Sequence, residues 1–155
     1  MSCIIRLPAV EELPALSALC FRSKAVWGYD KEFMEACRKE LSIELRDLRS
    51  TLIGVAEQHG RLVGVAQMKV MWSGADLLKL FVEPPTLRSG IGSELFAWAS
   101  DSAASQGAEC LLIEADPYAA PFYRRMGARD IGSAASGSVP GRVLPKLIKS
   151  LSSPR

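Results

Sequence analysis

The stretch "FVEPPTLRSGIGSELFAWA", residues 81–99, joins an apolar run to a helical pattern through two glycines. Glycine is costly in regular structure, so Gly90 and Gly92 at the start of a predicted helix indicate that something approaches the backbone closely. The first turn of a helix carries unpaired N–H donors and the positive end of the helix dipole, and both favour a phosphate. We therefore expect an anion-binding loop here, to which Arg88 can add a charge-assisted contact.

Two other phosphate-binding loops do not fit this stretch. It lacks the Gly-Lys-Ser/Thr ending of a P-loop, and the dinucleotide-binding pattern G-x-G-x-x-G fails at Leu95. A glycine turn that only starts a helix remains as the alternative.

The composition is that of an ordinary globular protein. The chain has 155 residues, 48% of them hydrophobic and 23% charged, and its net charge is +2. Lysines and arginines are spread along the chain, which argues against nucleic acid as the partner. No apolar run is long enough to cross a membrane, and no secretory signal precedes the chain, so we expect one cytoplasmic domain over residues 1–155.

The cysteines and the single histidine do not follow a metal-binding pattern. Cys3, Cys20, Cys37 and Cys110 contain no C-x-x-C pair, and His59 stands alone. We therefore expect neither a bound metal nor a disulfide framework.

Hydrophobic periodicity predicts a mixed α/β domain whose first half pairs mainly antiparallel. His59-Gly60 is the predicted turn of a hairpin, and Pro145 is a candidate interruption of the last strand. The predicted elements, in chain order, are a strand at 3–8, helices at 10–26 and 31–45, two strands within 51–72, a strand at 75–85, a helix ending near 106, a strand at 109–116, a short helix within 117–128 and a strand within 138–151.

A second stretch, "EADPYAAPFYRRMGARDIG" (residues 114–132), completes a pattern with the first. Together they resemble motifs A and B of the GCN5-related N-acetyltransferase (GNAT) superfamily, in the family's order, over residues 77–132. Residues 87–92 stand in the family's loop, Gln/Arg-x-x-Gly-x-Gly/Ala, with Leu87 at the polar position. Asp116 replaces the usual Asn of the second motif, and the further matches are Ala119, Phe122, Tyr123 and Gly127.

This resemblance implies a fold and a cosubstrate. The expected fold is a mixed, largely antiparallel sheet flanked by helices, with an acyl-CoA cleft between two splayed parallel strands at 77–84 and 109–116. Acetyl-CoA is the implied acyl donor. The residues implied to bind it are Phe81 and Val82 through their backbone, the loop residues Arg88, Ser89, Gly90, Ile91, Gly92 and Ser93, and Asp116, Ala119 and Phe122 of the second motif.

The resemblance also implies direct transfer of an acetyl group to an amine through a tetrahedral intermediate. Tyr123 stands where the family has a tyrosine that protonates the departing sulfur, so it is the expected general acid; simple packing of its ring is the alternative. Glu83, directly after the cleft strand, is the expected base, with Glu57 and Asp116 as alternatives. His59 is left out because turn histidines are usually surface residues.

The resemblance implies that the acceptor is recognised by the last strands and by the region between the first two helices. Trp27 and Tyr29 flank Gly28 there and form either an apolar wall or a cation–π site for an amine, or else cap the core. Arg142 in the last strand is a candidate partner for an acceptor carboxylate. We expect an amine as the acceptor, a small molecule in preference to an amino group of a protein.

Two other functions stay open on the sequence alone. A non-catalytic acyl-CoA sensor would explain the departures at Leu87 and Asp116, and a protein-interaction module would leave the glycine loop unused. A homodimer through Trp72 or the last strand is also left open.

Overall fold

The computed structural model describes residues 3–86 and 89–151. Within these ranges there are seven strands and five helices, with one-turn 3-10 helices at Val10–Glu12 and Pro84–Thr86. The strands are β1 (Ile4–Arg6), β2 (Leu52–Gln58), β3 (Arg61–Met71), β4 (Gly74–Val82), β5 (Cys110–Glu114), β6 (Arg129–Ala135) and β7 (Val143–Ser150). The helices are α1 (Leu13–Ala25), α2 (Lys31–Leu41), α3 (Asp47–Ser50), α4 (Ile91–Ser105) and α5 (Ala120–Arg125).

All seven strands form one sheet in the order β1-β2-β3-β4-β5-β7-β6. The pair β4–β5 is parallel, and the other five pairs are antiparallel. The expected mixed, largely antiparallel sheet flanked by helices is thus confirmed. The hairpin turn at His59-Gly60 is also confirmed, since Gln58 pairs with Arg61 across it.

The parallel pair separates halfway along its length. Residues 74–77 of β4 pair with residues 110–113 of β5, whereas β4 itself continues to Val82. On its other side β4 stays paired with β3, and the register shifts there so that Leu78 is an extra, bulged residue. The backbone from Leu78 to Val82 therefore has no partner on the β5 side among the described residues.

Successive side chains of a strand point to opposite faces of the sheet. The strands therefore present side chains to both faces, and helices pack on each. Val55 and Val65 pack with buried residues of α1 and α2. The opposite face carries α4, which approaches so closely that the strands need glycine there. A Cβ at Gly54 would lie 2.7 Å from the Trp98 ring, and one at Gly64 would lie 2.7 Å from Leu95.

The structure differs from the sequence prediction in several places, and the short helix α3 (Asp47–Ser50) is one element that was not predicted. β6 was not predicted, because "RDIGSAA" is mostly exposed and is paired only along β7, so it carries no apolar periodicity. The second helix ends at Leu41 rather than 45, since Ser42 is extended. β7 runs unbroken through Pro145, whose carbonyl accepts a hydrogen bond from the Ala115 N–H at 3.0 Å.

Candidate active site

A cavity of about 860 Å³ opens where β4 and β5 separate. Gly92 of α4 and Phe122 of α5 line it on one face of the sheet, and Lys24 of α1 and Leu41 of α2 line it on the other. Between them lie the diverging strands, from Leu77 to Val82 and from Ile113 onward. The cavity therefore passes through the sheet and joins its two faces.

The N-terminus of α4 forms one mouth of this cavity. Gly90 precedes the helix with a φ of +90°, a left-handed conformation that favours glycine, and no side chain caps the helix. The first backbone bond of the helix is the one donated by the Glu94 N–H to the Gly90 carbonyl, which leaves the preceding N–H groups for a ligand. A Cβ added at Gly92 would point toward Phe122 and Val82, at 3.5 and 3.7 Å, so the glycine keeps this space open.

The other predicted loop residues lie around that mouth. Ser93 lines the cavity and its hydroxyl contacts the Met126 sulfur at 3.6 Å. Ile91 is buried in the core, so its backbone N–H is what it offers a ligand. The Ser89 hydroxyl donates to the Thr86 carbonyl. Arg88, like Leu87, lies outside the described residues.

The free edge of β4 forms the wall between the two mouths. Phe81 and Val82 both line the cavity, and Phe81 packs toward the α1 and α2 side. Because this edge has lost its β5 partner, its peptide groups are available to an extended ligand, as a strand edge is to an added strand.

Tyr123 lies on α5 and lines the cavity with only 6% of its surface exposed. Its ring packs against Phe122 and Phe96, with centroids 5.2 and 5.8 Å away. Burial, and then the negative charge of Asp116, raise the pKa of the Tyr123 hydroxyl well above its ordinary value. The group is therefore neutral and able to donate a proton across the working pH range.

Neither predicted glutamate base faces the cavity with a free carboxylate. Glu83 receives two hydrogen bonds from Arg22, at 2.8 and 2.7 Å. Glu57 likewise accepts from Arg6, at 3.1 and 2.9 Å. Neither glutamate is among the residues that line the cavity.

Asp116 is the centre of an ion cluster inside the cavity. Its Oδ2 accepts from Lys24 Nζ at 3.0 Å, from the Tyr29 hydroxyl at 2.8 Å and from Arg142 Nη2 at 3.4 Å. Its Oδ1 accepts from the Tyr118 N–H at 2.9 Å. Burial opposes ionisation of this carboxyl, but the bonds led by that from Lys24 outweigh burial and lower its pKa.

The two aromatic residues predicted at the acceptor side have different surroundings. Trp27 lines the cavity and stacks on Tyr118, with the ring centroids 5.4 Å apart. Tyr29 stacks on Phe33 at 4.0 Å and receives a hydrogen bond from Arg142 at 2.7 Å while donating to Asp116. Tyr29 is thus part of the ion cluster rather than a free ring.

Sequence reasoning missed Lys24 and Lys79. Lys24 follows the buried Cys20 by one helical turn, so its position on the inner face of α1 was a readable signal. Lys79 sits on β4, and its Nζ donates to the Oε1 of the buried Gln67 at 2.9 Å. Because side chains alternate along β4, Lys79 and Phe81 lie on the same face of the sheet. This run was predicted as an apolar strand, and the lysine within it was therefore overlooked.

Neither a metal centre nor a membrane span is found in the described part of the chain. Residues 3–86 and 89–151 bring together no group of three side chains able to hold a metal ion. Within the same ranges, every helix is too short or too polar to cross a membrane.

Comparison with known proteins places this geometry in a family. The model of the acetyltransferase (GNAT) domain matches residues 19–137, which include both motifs and the ion cluster up to Asp116. Among curated proteins no sequence matches significantly.

Solved structures share the fold over nearly the whole chain. A GCN5-related N-acetyltransferase from Rhodopseudomonas palustris is 22% identical, with 97% of each chain covered and a TM-score of 0.82. The PaiA N-acetyltransferase from Thermoplasma acidophilum, solved in complex with coenzyme A, is 20% identical, with 97% of this chain and 99% of that chain covered and a TM-score of 0.78. A ribosomal-protein-alanine N-acetyltransferase from Brucella melitensis is 24% identical, with 96% and 99% covered and a TM-score of 0.68. With the family model spanning most of its length, the chain belongs to the GNAT acetyltransferases.

Proposed function

We propose that this chain transfers an acetyl group from acetyl-CoA to the amine of an acceptor. The observation that carries the proposal is that one continuous cavity passes between β4 and β5. On one face of the sheet this cavity reaches the uncapped N-terminus of α4. On the other face, beneath α1 and α2, it contains the ion cluster around Asp116, and we call this part the polar chamber. Tyr123 lines the same cavity. A donor and an acceptor can therefore meet from opposite faces of the sheet.

The donor side fits a pyrophosphate followed by an extended arm. The free N–H groups at the start of α4 favour phosphate oxygens, and the missing Cβ of Gly92 leaves room for them. The unpaired edge from Leu78 to Val82 then offers peptide groups to the pantetheine arm and to the thioester carbonyl. The related PaiA enzyme, which holds coenzyme A, supports this choice of donor.

The acceptor nitrogen would attack the thioester carbon directly. A C–N bond forms, the C–S bond breaks through a tetrahedral intermediate, and the sulfur leaves with the bonding pair. Tyr123 donates its hydroxyl proton to this sulfur. Burial raises the pKa of this hydroxyl, so it still carries its proton when the sulfur departs. The proton lost by the amine passes to a base or to solvent.

Glu83 remains the proposed base, and the structure defines what that role requires. Each of its carboxylate oxygens accepts one bond from Arg22, so the remaining lone pairs are the ones that can take the amine proton, directly or through water. Glu83→Gln should then lower kcat/KM for the amine without changing the KM for acetyl-CoA. An unchanged kcat/KM in this variant would leave solvent or Asp116 as the proton acceptor.

The test is release of the coenzyme A thiol from acetyl-CoA in the presence of mixed amines. Release that depends on an amine supports acetyl transfer. Binding of acetyl-CoA without release on any amine would instead indicate an acyl-CoA sensor on the same fold. Absence of binding would overturn both and leave an interaction module.

A further inference from the structure

We infer that the acceptor is a small amine that also carries a carboxylate, and that Lys24 and Arg142 bind this carboxylate. The inference rests on the proposed transfer of an acetyl group and names the class of acceptor. It follows from the charges, the unused donors and the burial of the polar chamber beneath α1 and α2.

Two cations share a single carboxylate in this chamber. Lys24 and Arg142 both donate to Asp116 Oδ2, at 3.0 and 3.4 Å. Arg142 also donates a shorter bond, at 2.7 Å, to the hydroxyl of Tyr29, which is neutral. One positive charge of the pair is therefore left without a counter-ion.

The rest of the cavity does not supply the missing negative charge. The whole lining, with Lys24, Arg142 and Asp116 included, holds four cationic side chains and three carboxylates, which is an excess of one positive charge. Lys79 is one of these cations, and its Nζ donates to Gln67, which is neutral. Glu40 is exposed at the rim, where it accepts a hydrogen bond from Ser138. An acidic group is thus the complementary ligand, and a second ammonium group would be repelled.

Donor groups remain unused on both cations. A guanidinium has five N–H donors, but the bonds of Arg142 to described residues come from Nη2 alone. The Lys24 ammonium has three, and Asp116 takes one. Because both side chains line the cavity, Nε and Nη1 of Arg142 and the remaining Lys24 hydrogens can meet a carboxylate there.

The aromatic rings hold these donors in place. The Arg142 guanidinium lies 5.2 Å from the centroid of the Tyr29 ring and 4.8 Å from that of Phe33. Lys24 Nζ lies 5.5 Å from the Tyr29 ring. A site that is already oriented loses little entropy when it binds an anion.

Burial limits the size of the acceptor. Only 12% of the Lys24 side chain and 17% of the Arg142 side chain are exposed. The chamber is also close to the proposed acid, since Asp116 and Tyr123 line the same cavity. The carboxylate and the reacting amine must therefore belong to one compact molecule, which describes an amino acid better than a polyamine or a lysine side chain on a protein surface.

The test compares amino acids with their own carboxamides as acceptors. The panel is glycine, L-alanine, L-leucine, L-phenylalanine and L-glutamate, with the matching 1-carboxamides and with spermidine, and rates are corrected for the fraction of neutral amine. We expect at least one acid to exceed its amide by roughly 10- to 100-fold in kcat/KM, because the amide leaves the cations unpaired. Arg142→Gln and Lys24→Gln should reduce that ratio to near one without changing the KM for acetyl-CoA.

The control is Arg46→Gln, because Arg46 pairs with Glu44 on the surface and is 77% exposed. This variant should keep the wild-type preference. Thermal stabilisation of each variant by acetyl-CoA shows that it is folded and binds the donor.

Amides used as well as acids, or a preference unchanged in both variants, would overturn the inference while leaving acetyl transfer intact. A wild type that acetylates spermidine but none of the acids would do the same. Failure of acetyl-CoA to stabilise the wild type would instead contradict the proposed function itself.

Discussion

Asp116 shows at the scale of one residue how a departure from the family pattern can have a structural reason. An asparagine at this place would carry no charge to offset either cation, whereas the carboxylate offsets one of the two positive charges and accepts hydrogen bonds from both Lys24 and Arg142. The same side chain accepts the Tyr118 N–H before α5 begins, so it also fixes the turn that leads to Tyr123. We interpret Asp116 as the residue that holds Lys24, Arg142 and the turn before α5 together in the polar chamber.

Replacing Asp116 should cost stability in a pH-dependent way. The folded pKa of Asp116 is lowered below the unfolded value of about 3.9, so its contribution is present above that value and is lost as the pH falls through the folded pKa. Asp116→Asn should therefore lower the free energy of unfolding by about 1–3 kcal/mol at pH 7, measured by urea denaturation. The difference should shrink below about pH 4. An equal difference at pH 7 and pH 3 would contradict this account of the cluster.

Tyr123 carries the second prediction at this scale. Tyr123→Phe keeps the ring and its packing against Phe96 and Phe122 but removes the proposed proton donor. We expect kcat to fall by about 100-fold, with little change in the KM for acetyl-CoA or in the melting temperature. Steady-state kinetics from pH 6 to 10 check this. Unaltered turnover at every pH would assign Tyr123 to packing alone.

At the scale of elements, the start of α4 and the separation of β4 from β5 create the site together. The helix supplies N–H donors because no side chain caps it, and the bulge at Leu78 accompanies the release of the β4 edge. Neither feature alone would connect the two faces of the sheet. The α4 loop was readable from its glycines, whereas the separation of the strands was expected only through the family resemblance.

Gly90 tests how much of this arrangement depends on backbone conformation. A Cβ there would meet nothing within 4 Å, so the φ of +90° is the one feature that opposes substitution. Gly90→Ala should lower the free energy of unfolding by about 1–2 kcal/mol. Urea denaturation measures this, and Ala97→Gly, on the exposed side of the same helix, gives the separate cost of a glycine within α4. A Gly90→Ala variant as stable as the wild type would show that the loop adopts another conformation.

For the molecule as a whole, local patterns predicted most elements but not the contacts that bring distant ones together. The helices and core strands have clear apolar periodicity. The ion cluster instead brings together α1, the turn before α5 and the segment before β7. Lys24 and its partner Asp116, for example, are 92 residues apart in the sequence. β6 escaped prediction because an exposed edge strand buries no regular face. The sequence thus indicated the glycine loop and the strands that line the cavity, whereas the ion cluster depends on contacts between residues far apart in the chain.

Thermal unfolding with and without acetyl-CoA tests the central claim, that the donor lies against the start of α4. At about 100 times its dissociation constant, acetyl-CoA should stabilise the wild type by roughly 2.7 kcal/mol, or about 5–10 °C. Gly92→Val should remain folded, since its Cβ position makes only ordinary contacts, but should lose most of this shift. Ala97→Val, on the exposed side of α4, should keep the shift. A wild type that acetyl-CoA leaves unmoved, or a Gly92→Val protein that it stabilises equally, would contradict the account.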